Sequence, residues 1–206
     1  MKVLVLGANG RTGALVVAHA IANDHEVSVL VRRVGRSYGP GVCVIEGDAL
    51  NQKDVLRAME RQDAVVECIG GMAPWQHQTL ERDVMRNIVA AMKQSGTRRL
   101  LVVSALGVAE SRKQCLWWYR WLVVPTFLRG ITRDKKDMEA IVRQSGLDWV
   151  IARAPILTDK AETGRIKVLK KSEKGRAITR VDLAAWLVEQ LEIRIYIGQA
   201  VAMVNY

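Results

Sequence analysis

Short apolar runs alternate along the chain with longer stretches in which apolar residues recur every three or four positions. The short runs predict β-strands at Lys2–Leu6, Glu26–Val31, Val42–Glu46, Ala64–Cys68, Leu100–Val103 and Trp149–Ala152. The longer stretches predict helices at 12–22, 52–60, 78–95, 132–144 and 183–191, and a last strand is expected near 200–204. Alternating strands and helices form βαβ units, whose right-handed crossovers place helices on both faces of a parallel sheet. The pattern therefore predicts an α/β fold with a doubly wound parallel sheet.

Two segments, 105–131 and 156–178, interrupt this alternation. Each follows the carboxyl end of a predicted strand, which is the edge at which open α/β sheets bind ligands. A chain of 206 residues is long enough for one sizeable core. We therefore predict a single domain over 1–206, with both segments on the substrate side and a small carboxy-terminal substrate lobe.

A glycine-rich loop follows the first predicted strand and opens the first predicted helix. It consists of Gly7, Ala8, Asn9, Gly10, Arg11, Thr12 and Gly13. In such a turn the first glycine permits a tight bend, the second lets backbone approach a pyrophosphate, and the third lets helix and sheet pack closely. The helix then directs free N–H groups and the positive end of its dipole at the phosphates. The loop predicts a dinucleotide site, and a tight turn that binds no ligand is the alternative.

The end of the second predicted strand indicates which dinucleotide is bound. An acidic residue at this place binds the ribose 2′-hydroxyl of NAD, whereas arginine accommodates the 2′-phosphate of NADP. The strand here ends in Arg32 and Arg33, and Arg11 in the glycine loop adds a third cation. Guanidinium groups donate bidentately to phosphate. We therefore expect NADP(H), unless Arg32 and Arg33 are simply solvated.

Two further loops at the same predicted edge are candidates for cofactor contacts. Asp48 and Ala49 follow the third strand, where the carboxylate is placed to accept from an adenine amino group. Ile69, Gly70 and Gly71 follow the fourth strand, where small residues let backbone pass close to a ribose or nicotinamide. Each loop is equally compatible with an ordinary turn.

The distribution of charge is uneven and bears on possible partners. The net charge is +10, and residues 111–180, with 17 Lys and Arg against 7 Asp and Glu, account for all of it. The positive electrostatic potential of this region would attract an anionic ligand, an acidic partner or a membrane surface. The alternative is that these charges are simply solvated and bind no partner. The lysines of 167–174 have no interleaved aromatic residue, so a nucleic acid is not favoured. Three unevenly spaced cysteines without a histidine cluster predict a reduced, cytoplasmic protein with no metal site.

The residues resemble those of the atypical short-chain dehydrogenase/reductases of the NmrA-like kind, and among them the biliverdin-IXβ/flavin reductase group. The resemblance covers nearly the whole chain and includes the glycine loop, 29–32, 47–48, 62–66, 86–93, 103–105, 145–149 and 178–184. It implies a Rossmann-like fold that binds NADP(H), with the pyrophosphate at Gly10–Gly13 and the 2′-phosphate beside Arg32. It also implies that Ser104 lies beside the nicotinamide and that Pro155 lines its far side.

Departures from the family pattern affect the expected chemistry. Typical members use a Tyr-x-x-x-Lys pair to exchange a proton with a carbonyl substrate. Here Tyr119 is followed four residues later by Val123, and a lysine near 135 or 136 has no tyrosine partner. The histidine that follows the proline of the sixth strand in the flavin and biliverdin reductase group is replaced by Ile156. Carbonyl reduction by the usual mechanism is therefore not expected.

Aromatic residues are concentrated on the predicted substrate side. Trp117 and Trp118, together with Trp75 after the fourth strand, are candidates to enclose a flat substrate over the nicotinamide. The basic, Trp-rich segment also has the composition of a helix that contacts an anionic membrane or an acidic partner. Plain packing or a homodimer contact is the third alternative, and the chain is expected to be a monomer or homodimer.

Together these features predict an NADPH-dependent reductase that transfers hydride to a small planar conjugated acceptor such as a flavin, quinone or bilin. Such acceptors need little proton machinery from the protein, because the cofactor carries the chemistry. Ser104 is the catalytic candidate, as a hydrogen-bond donor to the nicotinamide amide or to substrate. The alternative is that its hydroxyl only bonds to nearby backbone groups at the end of the strand. A non-catalytic NADP(H)-binding redox sensor or assembly protein remains the alternative function.

Overall fold

A computed structural model describes residues 1–35, 37–71, 78–117, 121–122 and 126–206. The helices in this part of the chain are α1 (Arg11–Ala22), α2 (Gln52–Ala58), α3 (Leu80–Ser95), α4 (Arg129–Gln144) and α5 (Arg180–Glu189). The strands are β1 (Lys2–Leu6), β2 (Glu26–Val31), β3 (Cys43–Glu46), β4 (Ala64–Glu67), β5 (Arg99–Ala105), β6 (Asp148–Ala154), β7 (Ile156–Thr158), β8 (Ile166–Val168), β9 (Ala177–Thr179) and β10 (Gln199–Asn205). A short 3₁₀ helix spans Ala109–Gln114.

Eight of these strands form one sheet in the order β3-β2-β1-β4-β5-β6-β10-β8. All neighbouring pairs are parallel except β10 and β8. From β1 the chain adds β2 and β3 on one side, and it then returns to add β4, β5 and β6 on the other side. The strand order therefore reverses between β1 and β4, which makes this position the topological switch point. This is the predicted doubly wound α/β fold, which the structure confirms.

The main difference from the predicted elements lies within 156–178, for which no strand was predicted. β7 and β9 pair as a separate parallel two-stranded sheet, and β8 joins the main sheet antiparallel to β10. These three-residue strands are too short to show a period in the sequence, and their pairing depends on partners far along the chain. α4 also begins at Arg129, three residues before its predicted start.

Side chains of the central strands are buried on both faces of the sheet. Val3 and Val5 of β1 pack with α1 and α5, whereas Leu4 and Leu6 pack with α2, α3 and α4. Because successive side chains of a strand point to opposite faces, a strand covered on both sides reads as a continuous apolar run. This explains why the central strands are evident in the sequence.

Two side-chain caps fix the starts of helices that flank the site edge. The Asn51 side chain accepts from the Lys53 amide at 3.0 Å at the start of α2. At the start of α5, Thr179 Oγ1 accepts from the Asp182 amide at 3.0 Å and donates back to Asp182 Oδ2 at 2.6 Å. Such caps satisfy helix N–H groups that have no intrahelical partner.

The Asp182 carboxylate also holds the carboxy-terminal lobe, residues 156–178, to the main sheet. It is fully buried and accepts from the Gly164 amide at 2.9 Å, from Thr163 Oγ1 at 2.9 Å and from Asn205 Nδ2 at 2.8 Å. Burial alone raises the pKa of Asp182, but the hydrogen bonds from Thr179, Gly164 and Thr163 outweigh it and hold the pKa below its usual value.

We expect Asp182→Asn to lower the free energy of unfolding at neutral pH by about 3 kcal/mol, because its amide N–H₂ would face donors and the charge would be lost. Since the folded pKa lies below the unfolded one, the carboxylate stabilises the fold above about pH 4 and loses this effect as pH falls through the folded pKa. Urea denaturation over this range measures both effects. Asp137→Asn, at an exposed position of α4, is the control and should change little.

Candidate active site

The glycine-rich loop connects β1 to α1 at the carboxyl edge of the sheet. Gly7 has a φ of +82°, and its carbonyl accepts from the Gly10 amide at 2.9 Å. A Cβ on Gly7 would lie 2.6 Å from the Cys68 carbonyl carbon, and one on Gly13 would lie 2.3 Å from the Gly7 oxygen. The loop therefore accepts only glycine at these positions and brings the start of α1 against the sheet.

The start of α1 is suited to an anion. Gly10 is the N-cap residue without a side-chain cap, and the first turn of the helix contains no acidic residue. Its N–H groups and dipole are therefore available to a pyrophosphate. The Gly7–Gly13 loop thus fits the phosphates of a dinucleotide, although the contacts predicted for Asn9, Arg11 and Thr12 remain predictions.

We expect Gly13→Ala to weaken NADPH binding by at least about tenfold and to lower stability, because the new Cβ meets a backbone atom that cannot move without disrupting the turn. Isothermal titration with NADPH and urea denaturation measure the two effects. Gly35→Ala is the control, because Gly35 is exposed and no atom within 4 Å would meet its Cβ. Equal binding by the two variants would contradict the assigned loop.

Arg32 and Arg33 follow β2 beside the glycine loop, and both are exposed. Asn9 connects the two segments, because its Nδ2 donates to the Arg33 carbonyl at 3.4 Å and its Oδ1 accepts from the buried Tyr38 hydroxyl. The backbone of Arg33 is therefore held beside the glycine loop, and the contact of the two guanidinium groups with a 2′-phosphate remains a prediction. Tyr38, which supports this arrangement, was not predicted as a site residue.

Arg11 points toward the carboxy-terminal lobe. It forms an ion pair with Asp159, which also accepts from Arg180 Nη1 at 2.7 Å. The Arg11 side chain is about two-thirds exposed, at 66%. Its predicted phosphate contact therefore requires an anion to compete with Asp159.

The loops after β3 and β4 lie at the same edge of the sheet. Asp48 Oδ1 accepts from the Leu50 amide at 3.0 Å, which makes a local turn, and the Ala49 carbonyl accepts from Asn87 Nδ2 at 3.0 Å. The Ile69 amide donates to a Glu67 carboxyl oxygen at 2.6 Å. Gly70 has open space around its Cα, whereas a Cβ on Gly71 would collide with the Gln78 side chain. These loops are in place for a cofactor, and their predicted contacts remain predictions.

Ser104 lies near the end of β5 in a buried ionic network. Its Oγ donates to Glu139 Oε1 at 2.7 Å, and Arg153 forms two bonds to the Glu139 carboxylate at 3.0 and 2.5 Å. Arg153 also donates to Glu110 at 2.9 Å. Ser104, Glu139 and Arg153 are each no more than 2% exposed. The Ser104 proton is thus engaged with Glu139, which leaves its lone pairs as acceptors.

A second buried network joins the starts of α3 and α4 at the same edge. The Asp134 carboxylate accepts from the amides of Glu81 and Arg82, both at 3.0 Å, and so caps α3 from the neighbouring helix. The next residue, Lys135, donates to Glu81 Oε2 at 2.5 Å and to the Val103 carbonyl at 3.3 Å. Lys135 thereby lies beside the end of β5, one residue from Ser104.

Glu67, the last residue of β4, belongs to this second network. It is 1% exposed, its Oε1 accepts from the Ile69 amide, and its Oε2 has no hydrogen-bond partner among the described residues. Burial, followed by the nearby Glu81 charge, raises the pKa of Glu67 to about 8. Burial alone lowers the pKa of Lys135, but the carboxylates of Glu81 and Glu67 outweigh it and hold the pKa above its usual value.

A small apolar pocket lies beyond the ends of β5 and β6. Its cavity volume is about 20 Å³, the space of about one water molecule, and it opens to solvent. It is lined by Leu106, Cys115, Leu116, Pro155, Ile156, Gly175 and Arg176. The two segments predicted to lie on the substrate side therefore meet here, at Pro155.

Comparison with known proteins identifies the cofactor class. A model of the NAD(P)H-binding family matches residues 7–194. The chain belongs to this family. It is 28% identical to the protein YMR090W of Saccharomyces cerevisiae over 93% of this chain and 87% of that protein. It is equally identical to the uncharacterized sugar epimerase YhfK of Bacillus subtilis, over 93% of this chain and 88% of that protein.

Solved structures share the fold. ChuY, an anaerobilin reductase from Escherichia coli, superposes with a TM-score of 0.83 at 23% identity, covering 100% of this chain and 97% of ChuY. A short-chain dehydrogenase/reductase from Veillonella parvula in complex with NADP superposes with a TM-score of 0.83 at 17% identity, covering 99% of this chain and 94% of that one. These structures confirm the Rossmann-like fold, and the family model confirms that the chain belongs to the NAD(P)H-binding family.

The tryptophans predicted to bind substrate are only partly described. Trp117 is 72% exposed, and Trp75 and Trp118 lie outside the described residues. Trp121, Leu122 and Phe127 are also exposed. No helix among the described residues is long and apolar enough to cross a membrane. The substrate, membrane and dimer alternatives for this segment remain predictions.

Several residues at the site edge of this NAD(P)H-binding protein were missed in the sequence. They are Tyr38, Glu67, Glu81, Glu110, Asp134, Glu139 and Arg153. Glu67 and Arg153 each interrupt an apolar strand, and a charge in such a run is a signal of a buried ionic partner. The partners themselves are 14 to 54 residues away in sequence, as for Arg153 with Glu139 and Lys135 with Glu81.

Proposed function

We propose that this protein is an NADPH-dependent reductase that transfers hydride to a planar conjugated acceptor such as a flavin, quinone or bilin. The observation that carries the proposal is the position of the apolar pocket at Pro155, at the same sheet edge as the Gly7–Gly13 loop. Ligands of open α/β sheets bind at this edge. The proposal therefore assigns the cofactor to the loop and the acceptor to the pocket, along one edge of the sheet.

The residues present fit NADPH rather than NADH. Arg32 and Arg33 follow β2 where an acidic residue would bind a 2′-hydroxyl, and the start of α1 offers its N–H groups to the pyrophosphate. When bound, NADPH supplies the hydride. The NADP complex of the Veillonella parvula neighbour supports the same cofactor.

Two features favour a planar conjugated acceptor: the apolar pocket, and the absence of the tyrosine that reduces carbonyl substrates in typical family members. Arg176 is the one charged residue among the described residues that line the pocket, and the others are apolar, so the pocket suits contact with an apolar edge of an acceptor that carries an anionic substituent. The missing tyrosine argues against a simple carbonyl substrate. ChuY, a neighbour of the same fold, is an anaerobilin reductase, which supports a conjugated acceptor.

The alternative is a non-catalytic NADP(H)-binding sensor or assembly protein, which the absence of the Tyr-x-x-x-Lys pair favours. Steady-state oxidation of NADPH, followed by its near-ultraviolet absorbance, distinguishes the two functions. FMN, menadione and biliverdin serve as acceptors. Turnover with at least one of them is expected. Tight NADPH binding with no turnover by any of them would support the sensor.

A further inference from the structure

We propose that a group of exposed apolar side chains between the pocket and α4 binds this protein to the surface of an anionic lipid bilayer. We call these residues, Trp117, Trp121, Leu122 and Phe127, the aromatic surface. The contact is peripheral: the side chains enter the headgroup region, and the chain stays outside the bilayer. The inference does not rest on the proposed function, because membrane contact needs neither cofactor nor acceptor.

The aromatic surface exposes several large apolar side chains close together in the chain. Its four residues lie within eleven positions of the sequence, and each is between 54% and 72% exposed. Single exposed apolar residues are common in proteins, whereas a concentration of them marks a surface that contacts a partner or a membrane. Tryptophan favours the membrane–water interface, where its ring meets lipid and its N–H meets water. The composition therefore suits the boundary of a bilayer.

Cations flank the aromatic surface on both sides along the chain. Residues 111–133 contain five Lys and Arg and no Asp or Glu. Arg112 and Lys113 precede the aromatic surface, and both are exposed. Arg129 and Arg133 follow it in α4, and both are also exposed. Exposed apolar side chains with cations on either side are typical of segments that contact anionic lipid.

The carboxy-terminal lobe adds further cations beside this segment. Gln114 joins the two, because its Nε2 donates to the Lys170 carbonyl at 3.0 Å and its carbonyl accepts from the Gly175 amide at 3.1 Å. Leu116, next to the aromatic surface in the chain, lines the same pocket as Arg176. Two distant parts of the chain therefore bring positive charge together here. The exposed cations of this basic turn are Lys170, Lys171, Lys174 and Arg176.

The charge distribution favours a bilayer over a second copy of the chain or another protein. Two copies that met through this surface would bring the same cations together, which disfavours the contact. A protein partner carries charges of both signs, and residues 111–133 offer no carboxylate to its cations. The single carboxylate of the basic turn, Glu173, is already paired with Lys167 at 2.8 Å. An anionic bilayer has negative headgroups above an apolar layer, which matches cations around apolar side chains.

Co-sedimentation of the whole chain with lipid vesicles tests the proposal. One set of vesicles contains equal parts of phosphatidylcholine and phosphatidylglycerol, and the other contains phosphatidylcholine alone. We expect binding to the anionic vesicles to be at least about tenfold tighter than to the neutral ones, because each basic residue near anionic lipid contributes about fivefold. Added salt should weaken this binding. Equal binding to both sets, or binding to neither, would overturn the proposal.

Leu122→Ala tests the apolar contribution at an exposed position. It should weaken binding to the anionic vesicles by about tenfold, because the burial of a large apolar side chain in lipid is lost. Ile195→Ala is the matched control, since Ile195 is 68% exposed against 65% for Leu122. Ile195 precedes β10, at the opposite edge of the sheet, so this control should bind as the wild type does. Equal binding by the two variants would contradict the role of the aromatic surface.

Lys171→Ala with Lys174→Ala tests the charge of the basic turn. Loss of both cations should weaken binding to the anionic vesicles by about 25-fold. Lys93→Ala with Arg194→Ala removes the same charge from exposed residues at the opposite edge of the sheet, and it should change binding by less than about twofold. An equal loss in this control would overturn the proposal, because net charge alone would then explain the binding.

Sedimentation equilibrium without vesicles tests whether a second copy covers the aromatic surface instead. Leu122→Ala should leave the oligomeric state of the wild type unchanged. A dimer that this variant dissociates would assign the aromatic surface to a second copy and overturn the membrane contact. The outcomes are also separate from those of the proposed function, because failure to oxidise NADPH with any acceptor would leave vesicle binding intact.

Discussion

Replacing both Arg32 and Arg33 by alanine is expected to raise the dissociation constant for NADPH by about 100-fold and to change that for NADH by less than about threefold. Hydrogen bonds to charged groups contribute about 1.5–3 kcal/mol, and each 1.4 kcal/mol corresponds to a factor of about ten in affinity. Both guanidinium groups are exposed at the end of β2, so their removal leaves no buried group without a partner. Isothermal titration with the two cofactors measures the difference.

A matched control separates this effect from a general loss of positive charge. Lys171→Ala with Lys174→Ala removes the same charge from two exposed residues of the carboxy-terminal lobe. This variant should bind NADPH nearly as the wild type does, particularly at physiological ionic strength, where distant charges are screened. An equal loss of NADPH and NADH affinity in the arginine variant would contradict the 2′-phosphate assignment.

Glu139→Ala is expected to lower the free energy of unfolding by about 3–5 kcal/mol, because it leaves the Arg153 guanidinium buried without its main partner. Both side chains are 2% exposed, and the Ser104 hydroxyl loses its acceptor in the same variant. The remaining partner, Glu110, is largely exposed at its side chain and compensates only in part. Urea denaturation at neutral pH measures the loss.

The control for this prediction is an ion pair at the surface. Glu26 lies 3.9 Å from Lys2, and the two side chains are 78% and 45% exposed. Glu26→Ala should cost no more than about 1 kcal/mol, since exposed pairs are weakened by solvent. A loss in Glu139→Ala that is no larger than in Glu26→Ala would mean that the buried network does not hold the edge of β5 and β6 together.

The sequence predicts the sheet and the phosphate loop because their causes are local. Strands covered on both faces read as apolar runs, and Gly7 and Gly13 are required by backbone contacts within a few residues or to the adjacent strand. β8 is not predictable in this way. Its three residues are defined by antiparallel pairing with β10, more than thirty residues later in the chain.

The candidate site is predicted less completely than the fold, because many of its contacts, like the pairing of β8, join residues far apart in the chain. Arg32 and Ser104 are predicted as site residues from their places at strand ends, and these roles remain predictions; the side chains that surround them depend on long-range contacts. The Ser104–Glu139 bond joins residues 35 apart, and the Asp134 cap on α3 spans 53 residues. Such pairings have no period in the sequence, so the buried charges of α4 were indistinguishable from those of a solvated helix face.

In the proposed reaction, bound NADPH would give its hydride directly to a conjugated acceptor. Anaerobic single-turnover reduction of biliverdin, with NADPH that carries deuterium at the nicotinamide C4 in each stereochemical form, follows this transfer. We expect one form to transfer deuterium to a carbon of the reduced bilin and to be oxidised more slowly than unlabelled NADPH. NADPH that binds tightly but is oxidised by neither biliverdin, FMN nor menadione would contradict the claim.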